Sequence, residues 1–520
     1  MLAEKPVEQS KVSQAQTDRR NFIKKTRSIC PVDLMVLDAE LWEIDGQVII
    51  SKNCPEHGYF EDIYWSDYEE YVRAEKFRDH GTGLQKPLES KLGCPFDCGL
   101  CQNHKTHTIL VIIEITQRCN LRCPICFASA GTQDKSHDLS IEQIRSILEY
   151  TQQNNYPLRV RGAGNSGGEP TLRDDLPQIV QMEKELGFDY ILTMTNGLRL
   201  AEDIDYFKKL RDAGTWLYMQ FDGVTPEPYM KTRGRDLWPL KQKVLENARK
   251  IGYDKIALIP TLVKGVNDHQ VGDIIRYSAE NSDVIKFLVF QPVSFSGRID
   301  TSQLKEMRIT NSDVMRLAEE QTSGQIKKSD FFTLPMNQAL ARIMTKGGQH
   351  QDFCVHPHCG LITIVDHSKG KLDPIPRYIK NEEAHAKISE AFRLNKSRPV
   401  IMWELMIGLI RYVSPRLWFK LLPILLMTKG RKSIKSVLTE WLPGRWLTIG
   451  IMHFMDPYNF DLDRVENCAL HFGVIDKESK PRLIPFCSMN SIHRASLYNG
   501  NEEVQESSSV NAVKPGAQVK

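Results

Sequence analysis

The twelve cysteines of this 520-residue chain are clustered: Cys30 and Cys54, then Cys94, Cys98 and Cys101, then Cys119, Cys123 and Cys126, then Cys354 and Cys359, and finally Cys468 and Cys487. Thiols two or three residues apart do not readily bridge each other, but they converge easily on one metal or cluster. The pattern therefore reads as metal ligation in a reducing compartment and not as a disulfide framework. The N-terminal run MLAEKPVEQSKVSQAQTDRR is polar throughout and lacks the apolar core of a secretory signal, so a cytoplasmic chain is expected.

Charge excludes one class of function. The 68 Lys plus Arg nearly balance the 65 Asp plus Glu, leaving a net charge of +3 and no footprint for nucleic acid. The densest apolar stretch, Leu421 to Met427, is broken by Pro423 and falls far short of the roughly 20 residues that span a bilayer, so no transmembrane segment is expected. Residues 398–455 nevertheless hold four of the eight Trp, namely Trp403, Trp418, Trp441 and Trp446. With them come Phe419 and interleaved Arg411, Arg416, Lys420, Lys429, Arg431, Lys432 and Lys435. Such a mixture suits either peripheral contact with the inner face of a membrane or a helical subdomain packing its apolar face on the rest of the protein.

Composition and periodicity divide the chain into six parts. Residues 1–26 and 496–520 read as disordered tails. Residues 27–65 read as a small hairpin module with Asp45-Gly46 at a turn, and 66–107 as a segment carrying its own cysteine set. From 108 to 300, β-rich runs at Ile109–Ile115, Leu158–Val160, Tyr190–Met194, Leu217–Phe221, Ile256–Leu262 and Ile285–Phe290 alternate with helix-period segments near 140–153, 175–186, 203–213, 238–251 and 269–281. Several of these helices are opened by a capping residue such as Ser140 or Asp203. Six strands alternating with helices imply an α/β fold of parallel units, either a partial barrel or an open doubly wound sheet. Residues 301–495 read as helix-rich and then irregular.

The sharpest motif is EITQRCNLRCPICFASAG, which sets Cys119, Cys123 and Cys126 in a C-x3-C-x2-C arrangement just after the first barrel strand. Three thiolates on one loop hold three irons of a 4Fe-4S cubane and leave the fourth iron open for a cofactor or substrate. This resembles the radical S-adenosylmethionine (SAM) superfamily. There the open iron chelates the amino and carboxylate groups of SAM, and reductive cleavage yields a 5'-deoxyadenosyl radical able to take hydrogen from unactivated carbon. A structural zinc knuckle, the competing reading, lacks a fourth nearby ligand. It would also not explain Gly167-Gly168-Glu169-Pro170, which follows the second strand at the sheet edge where cofactors sit. The resemblance makes this the GGE-type motif of SAM binding. Glycine lets the backbone approach the methionine amino group, while Glu169 is a neighbour shaping the loop more than a direct ligand. Polar strand exits at Asn196 and Asp222 are further expected contacts to the cofactor, against the commoner role of a cap or turn.

The remaining cysteines suggest further metal. Cys94, Cys98 and Cys101 repeat the C-x3-C-x2-C spacing and fit an auxiliary cluster, completed by a distant Cys, by His104 or by an external ligand, with zinc as the alternative. Cys354, Cys359, Cys468 and Cys487 make a four-thiolate inventory for another cluster; single buried thiols are the bland alternative. Cys30 with Asp33 and Cys54 with His57 form two knuckle-like turns resembling a rubredoxin or zinc ribbon. Two Cys, one Asp and one His still bind zinc tetrahedrally, but they favour a redox iron less than four thiolates would.

The order of these modules resembles one group within the radical SAM superfamily, the tetraether lipid synthases and their bacterial relatives. The likeness rests on the CPxHG-type knuckle, GCPFDCGLCQNHKTHT, EITQRCNLRCPICFASAG, SGGEPTLRDDLP and the tail HFMDPYNFDLDRVENCALHFGVI...IPFCSMN, and it spans about 27 to 495. It implies a partial (β/α)6 TIM-like barrel with an N-terminal rubredoxin-like module and a helix-rich, cluster-binding C-terminal region. The cofactors implied are the SAM cluster, SAM, one or two auxiliary 4Fe-4S clusters and a mononuclear Fe or Zn, with a flavodoxin- or ferredoxin-like electron donor. Coupling of lipid chain termini through sp3 carbon radicals is the implied reaction. Asp33 departs from a rubredoxin iron site, and the group includes proteins read as pterin methylases. Rival expectations are therefore a radical SAM methylase of a pterin or other small molecule, a cofactor-maturing or peptide-modifying enzyme, and a non-enzymatic iron-sulfur electron carrier.

Overall fold

The computed structural model describes residues 20–79, 83–84, 87–131, 138–337, 354–367, 370–393, 403, 407–408, 411–417 and 446–498. Of the expected tails at 1–26 and 496–520, residues 20–26 belong to a strand and 496–498 to a short helix, while 1–19 and 499–520 lie outside the described residues. So does most of the aromatic and basic stretch, including Trp418, Trp441 and Leu421 to Met427.

The chain opens with a four-stranded antiparallel sheet in sequence order, β1 (Arg20–Ile29), β2 (Val36–Ile44), β3 (Gln47–Cys54) and β4 (Gly58–Trp65). Alternation in β2 and β3 buries Leu37, Ala39, Leu41, Val48 and Ile50 on one face. The β2–β3 turn falls at Asp45-Gly46, whose φ angles of 48° and 80° are those of a tight two-residue hairpin. The module begins seven residues earlier than its sequence pattern suggested, because β1 is rich in Lys and Arg on its exposed face and so lacks an apolar run.

The second sheet is built on parallel strands: β5 (Leu110–Thr116), β6 (Gly162–Gly167), β7 (Tyr190–Thr195), β8 (Trp216–Gln220), β9 (Ile256–Ile259) and β11 (Ile285–Pro292), with the short β10 (Thr261–Leu262) beside β11. Helices at Ile141–Asn155, Leu176–Glu185, Ile204–Ala213, Trp238–Ile251 and Val271–Glu280 connect them. The first opens on a capping box of Ser140 and Gln143, and the third on Asp203, which accepts from the Tyr206 amide at 2.9 Å. Their apolar stripes pack on the outer face of the sheet through residues such as Ile144, Ile147, Phe207 and Leu245, each at most 1% exposed and worth roughly 1.5–3 kcal/mol.

One strand is misplaced by its sequence. The second barrel strand lies at Gly162–Gly167 and not at Leu158–Val160. Its sequence, GAGNSG, carries no β-branched or aromatic side chain, so strand propensity pointed to the apolar residues just before it.

The C-terminal region supplies helices at Asn311–Gln321 and Asn381–Arg393, and it also completes the barrel with strands that local pattern did not reveal. These are β12 (Phe332–Thr333), β13 (Gly360–Asp366), β14 (Asp373–Pro374), β15 (Trp446–Met452), β16 (Leu470–Ile475) and β17 (Pro481–Pro485). Trp446 thus opens a strand and is not part of a helical segment. β15 pairs parallel with β11, and β16 pairs parallel with β5, so eight parallel strands run in the order β16-β5-β6-β7-β8-β9-β11-β15. Antiparallel β17 and β13 cover the two ends. A flat run of eight strands would hold its outer members about 34 Å apart at a spacing of about 4.8 Å. Met452 of β15 and Leu470 and Phe472 of β16 instead line one cavity together, so the sheet is curled into an open barrel.

The N-terminal sheet docks on the segment between β15 and β16. Tyr64 donates to Asp461 at 2.8 Å, and Ser28 donates to the Phe460 carbonyl at 2.6 Å. Arg308 is fully buried between Asp62 of β4 and Asp456, donating to Asp456 at 2.6 Å and also pairing with Asp62. One guanidinium thereby ties the N-terminal sheet, the barrel and the C-terminal segment together.

Candidate active site

The cavity inside the barrel has a volume of about 310 Å³. Cys119, Cys123 and Cys126 border it from the loop after β5, Gly167 to Glu169 from the end of β6, and Asn196 from the end of β7. The parallel sheet puts all of these at the carboxyl ends of its strands, where β/α folds assemble their sites.

The cysteine loop is held by its backbone. The Cys126 amide donates to the Arg298 carbonyl at 2.9 Å, and the Arg298 amide returns the bond to Cys126 at 2.9 Å. The Arg298 side chain also donates from Nε to the Cys123 carbonyl at 2.6 Å and from Nη2 to that of Ala130 at 2.8 Å. At the base of the loop Arg118 pairs with Asp138 at 2.6 Å. Burial pushes the Cys119 thiol up to about 12 and raises that of Cys123, while the nearby Arg233 guanidinium pulls Cys123 the other way. Three such thiols fit a positively charged inorganic core, which would replace their protons.

The two glycines answer first to the chain beside them. Gly167 sits at φ +123°, and a Cβ there would lie 1.9 Å from the Thr116 carbonyl oxygen. A Cβ on Gly168 would lie 2.1 Å from that of Arg118. The amides of Gly168 and Glu169 donate to these same carbonyls at 2.9 and 2.7 Å, so the glycine turn is fastened onto the base of the cysteine loop. Glu169 is 1% exposed. Its carboxylate accepts from the Thr171 amide at 3.1 Å, from Thr195 at 2.6 Å and from the Asn196 amide at 2.7 Å, joining the ends of β6 and β7. Pro170 opens the short helical turn Pro170–Leu172 behind it.

Asn196 donates from its side chain to Asn120 at 2.7 Å, linking the end of β7 to the cysteine loop. Asp222 departs from its expected part. It is fully buried, and its oxygens are taken by Arg233 at 2.6 and 2.9 Å, by Thr232 at 2.8 Å and by the Thr261 amide at 3.2 Å. It is not among the described residues that border the cavity. What it does is hold Arg233, whose Nη1 donates to the Ile125 carbonyl within the cysteine loop at 3.0 Å. Arg233, Arg298 and the fully buried Lys241 escaped the sequence reading. Lys241 donates to the Asn196 carbonyl at 2.6 Å and to Gln220 at 2.8 Å, and burial lowers its ammonium to about 7. A polar residue past the end of β11 was the available signal for Arg298; Lys241 lies in the first turn of the helix Trp238–Ile251 with none.

Below this polar rim the cavity wall is apolar. Leu110 and Ile112, Met194, Val289, Met452 and Phe472 project inward from five different strands. Phe127, next to Cys126, packs edge-on against Phe454 and Phe486 with ring centres 5.8 and 5.9 Å away, and Phe486 adjoins Cys487.

The other cysteines gather in three places. Cys30, Asp33, Cys54 and His57 bring their donor atoms within 4.8 Å of one another at the two knuckles of the N-terminal sheet, with His57 Nδ1 3.6 Å from Cys30 and 3.5 Å from both Cys54 and Asp33. Cys94, Cys98 and Cys101 border one small cavity with His104, whose Nε2 is bonded to the Cys468 carbonyl at 2.8 Å. Of the C-terminal four, Cys359, Cys468 and Cys487 act electrostatically on one another, whereas Cys354 donates to Asp79 at 3.5 Å. Glu75, His356 and His358 also approach within 4.8 Å. There the Arg78 guanidinium already bonds both Glu75 and His356 at 2.7 Å, so this trio reads as a buried ion-pair network.

Residues 113–278 match the model of the radical SAM superfamily, and residues 22–66 match that of the HMPTM N-terminal zinc ribbon domain. The chain is 42% identical over 499 residues to the 7,8-dihydro-6-hydroxymethylpterin dimethyltransferase of Methanocaldococcus jannaschii, covering 94% of this chain and 96% of that one. The chain belongs to that protein's family, within the radical SAM superfamily. It is thus a radical SAM enzyme, with a zinc-ribbon-like module ahead of the catalytic barrel. The GTP 3',8-cyclase of Limosilactobacillus fermentum is 33% identical over 195 residues, 36% of this chain and 55% of that one. Among solved structures, Streptococcus suis SuiB bound to S-adenosylmethionine overlaps 42% of this chain and 48% of its own at 16% identity and a TM-score of 0.34. No helix among the described residues is long and apolar enough to cross a membrane.

Proposed function

We propose that this radical SAM enzyme forms carbon-carbon bonds at an unreactive carbon of a small molecule, and that the reaction is C-methylation of a reduced pterin or a similar heterocycle. The near full-length identity to the Methanocaldococcus jannaschii dimethyltransferase carries this reading, since it includes the N-terminal module and the C-terminal strands as well as the barrel. On this reading Cys119, Cys123 and Cys126 hold the 4Fe-4S cluster, and SAM lies against Gly167 to Pro170 and Asn196. The cluster, when bound, supplies the electron that cleaves SAM to a carbon radical.

The chain's own contribution is positional. Arg298 and Arg233 fix the cysteine loop from two sides, Glu169 aligns the ends of β6 and β7, and the inward aliphatic side chains exclude water from the reacting carbon. Cys94, Cys98 and Cys101 are auxiliary-cluster ligands, as are Cys359, Cys468 and Cys487. Neither thiol trio closes to within 4.8 Å among the described residues, whereas a lone zinc with bonds of about 2.3 Å needs sulfurs about 3.8 Å apart. Cys30, Asp33, Cys54 and His57 do close to that distance and suit a single Zn or Fe ion. A flavodoxin- or ferredoxin-like protein is the electron donor.

The apolar cavity wall favours a second reading, in which an alkyl chain lies along the barrel axis and lipid chains are joined, with the enzyme working at the membrane face. One experiment separates the two. Anaerobically reconstituted protein is given SAM, a reductant, a one-carbon donor (excess SAM or a one-carbon reduced folate) and either a 7,8-dihydropterin or a lipid extract, and the products are weighed by mass spectrometry. Methylated pterin with unchanged lipids supports the first reading. Hydrogen loss from lipid chains with unaltered pterin replaces it with the second.

A further inference from the structure

Two arginines lie fully buried within a few residues of each other's partners, and their surroundings differ in one respect. Arg308 is neutralised by the carboxylates of Asp62 and Asp456. Arg464 is 1% exposed and forms no ion pair with a carboxylate among the described residues. Its Nη2 donates to the His453 carbonyl at 2.8 Å, and its guanidinium carbon lies 5.7 Å from the centre of the Tyr64 ring. Its Nε and Nη1 are buried with no hydrogen-bond partner among the described residues. A cation this far from water needs an opposing charge, and unmet N–H groups need acceptors.

The groups around it indicate what that anion is. The thiols of Cys359 and Cys487 act electrostatically on the side chain, and these two act in turn on Cys468. The Cys359 carbonyl accepts from the His453 amide at 3.2 Å, and the Cys487 sulfur accepts from the Met455 amide at 3.4 Å, so the Cys359 backbone and the Cys487 thiol are held beside the segment that Arg464 also bonds. As neutral thiols they leave the guanidinium uncompensated. As ligands of an iron-sulfur core they become part of a net-negative group whose sulfurs accept N–H bonds.

We propose that Arg464 is the positioning residue of a cluster held by Cys359, Cys468 and Cys487, its Nε and Nη1 donating to cluster sulfur and its charge easing reduction. Cys354, turned to Asp79, stands outside the set. This inference rests on the reading of the C-terminal cysteines as cluster ligands, and it adds a residue that sets both their geometry and the potential of what they hold.

The test uses the full chain with Cys119→Ala, Cys123→Ala and Cys126→Ala, which leaves only auxiliary clusters. The reduced clusters are titrated against potential and followed by electron paramagnetic resonance. The signal of interest is the one that Cys468→Ala removes and Cys354→Ala retains. Arg464→Met is expected to move its midpoint negative by at least tenfold in the reduction equilibrium, about 59 mV for one electron, and Arg464→Lys by less. With ¹⁵N-labelled arginine and Arg464 in place, pulsed measurement of the same signal is expected to show a nitrogen coupling that Arg464→Lys abolishes. This second measurement decides the matter if Arg464→Met does not fold. An unmoved midpoint in a folded Arg464→Met chain, absence of the ¹⁵N coupling, or loss of the signal in Cys354→Ala overturns the proposal while leaving the auxiliary clusters standing. Absence of any cluster iron in the triple variant overturns both.

Discussion

Replacing Gly168 with alanine is the sharpest probe of how the SAM motif works. The added methyl carbon would lie 2.1 Å from the Arg118 carbonyl oxygen, 2.6 Å from its carbon and 2.8 Å from the Gln117 oxygen. All three are backbone atoms, so no side chain can swing aside. An unstrained carbon-to-oxygen contact needs about 3.3 Å or more, so the two segments must part by about 1 Å. Parting them breaks the 2.7 Å bond from the Glu169 amide to Arg118 and drags Cys119, the next residue, with it. Overpacking costs about 1–3 kcal/mol and the lost bond about 1 kcal/mol. A displacement of this size at the reacting centre lowers turnover roughly 10²-fold. The assay is 5'-deoxyadenosine formation per reconstituted cluster, with iron content and thermal unfolding measured beside it. Gly164→Ala is the control in the strand just before it, because its methyl would meet side-chain atoms and no backbone, those of Met194, Ile112 and Leu110 at 3.3, 3.5 and 3.8 Å. If Gly168→Ala cleaves SAM at the unaltered rate, or if the control is equally damaged, the close-approach argument is wrong.

Three further outcomes are expected. Arg308→Met leaves Asp62 and Asp456 buried without their counter-charge, and denaturant unfolding should show a loss of about 3–5 kcal/mol. Glu183 is fully buried with Asn165 as its one hydrogen-bond partner among the described residues, and burial raises its carboxyl to about 8. The folded state therefore holds a proton that the unfolded state releases, so stability falls as pH rises from about 4.5 to 8, and Glu183→Gln should remove that part of the slope in unfolding curves taken across the window. His57→Ala removes one of four donors at the N-terminal knuckles. Elemental analysis should show about one fewer metal ion per chain with the cluster absorbance kept.

The parts of the fold legible in the sequence were those whose signal is local. Of the eight parallel strands of the barrel, the six between 108 and 300 were expected, and five of these declared themselves by β-branched and apolar runs, while Ser140 and Asp203 marked their helices because a cap is a contact within three residues. The site was legible where a motif forces proximity, as at Cys119, Cys123 and Cys126, or where a hairpin brings Cys30 and Cys54 face to face. The strand GAGNSG was hidden because its small residues serve close approach and not packing. The pairing of β16 with β5 joins residues some 360 positions apart, and no local period encodes it. The pairing of Asp222 was hidden for a related reason: a polar strand exit looks alike whether it faces a cofactor or an arginine eleven residues on.

The two outer strands of the barrel come from one late stretch of chain, β15 on one edge and β16 on the other. During synthesis, the six strands from Leu110 to Pro292 leave the ribosome with both flanks of the sheet bare, and they stay so while more than 150 further residues are made. Such flanks are templates for pairing with any other nascent chain. At about 5–20 residues per second that interval lasts on the order of ten seconds or more. Truncation ahead of Trp446 should accordingly give aggregates and not a smaller enzyme, and production of the intact chain should depend on whatever shields those flanks until its last strands arrive.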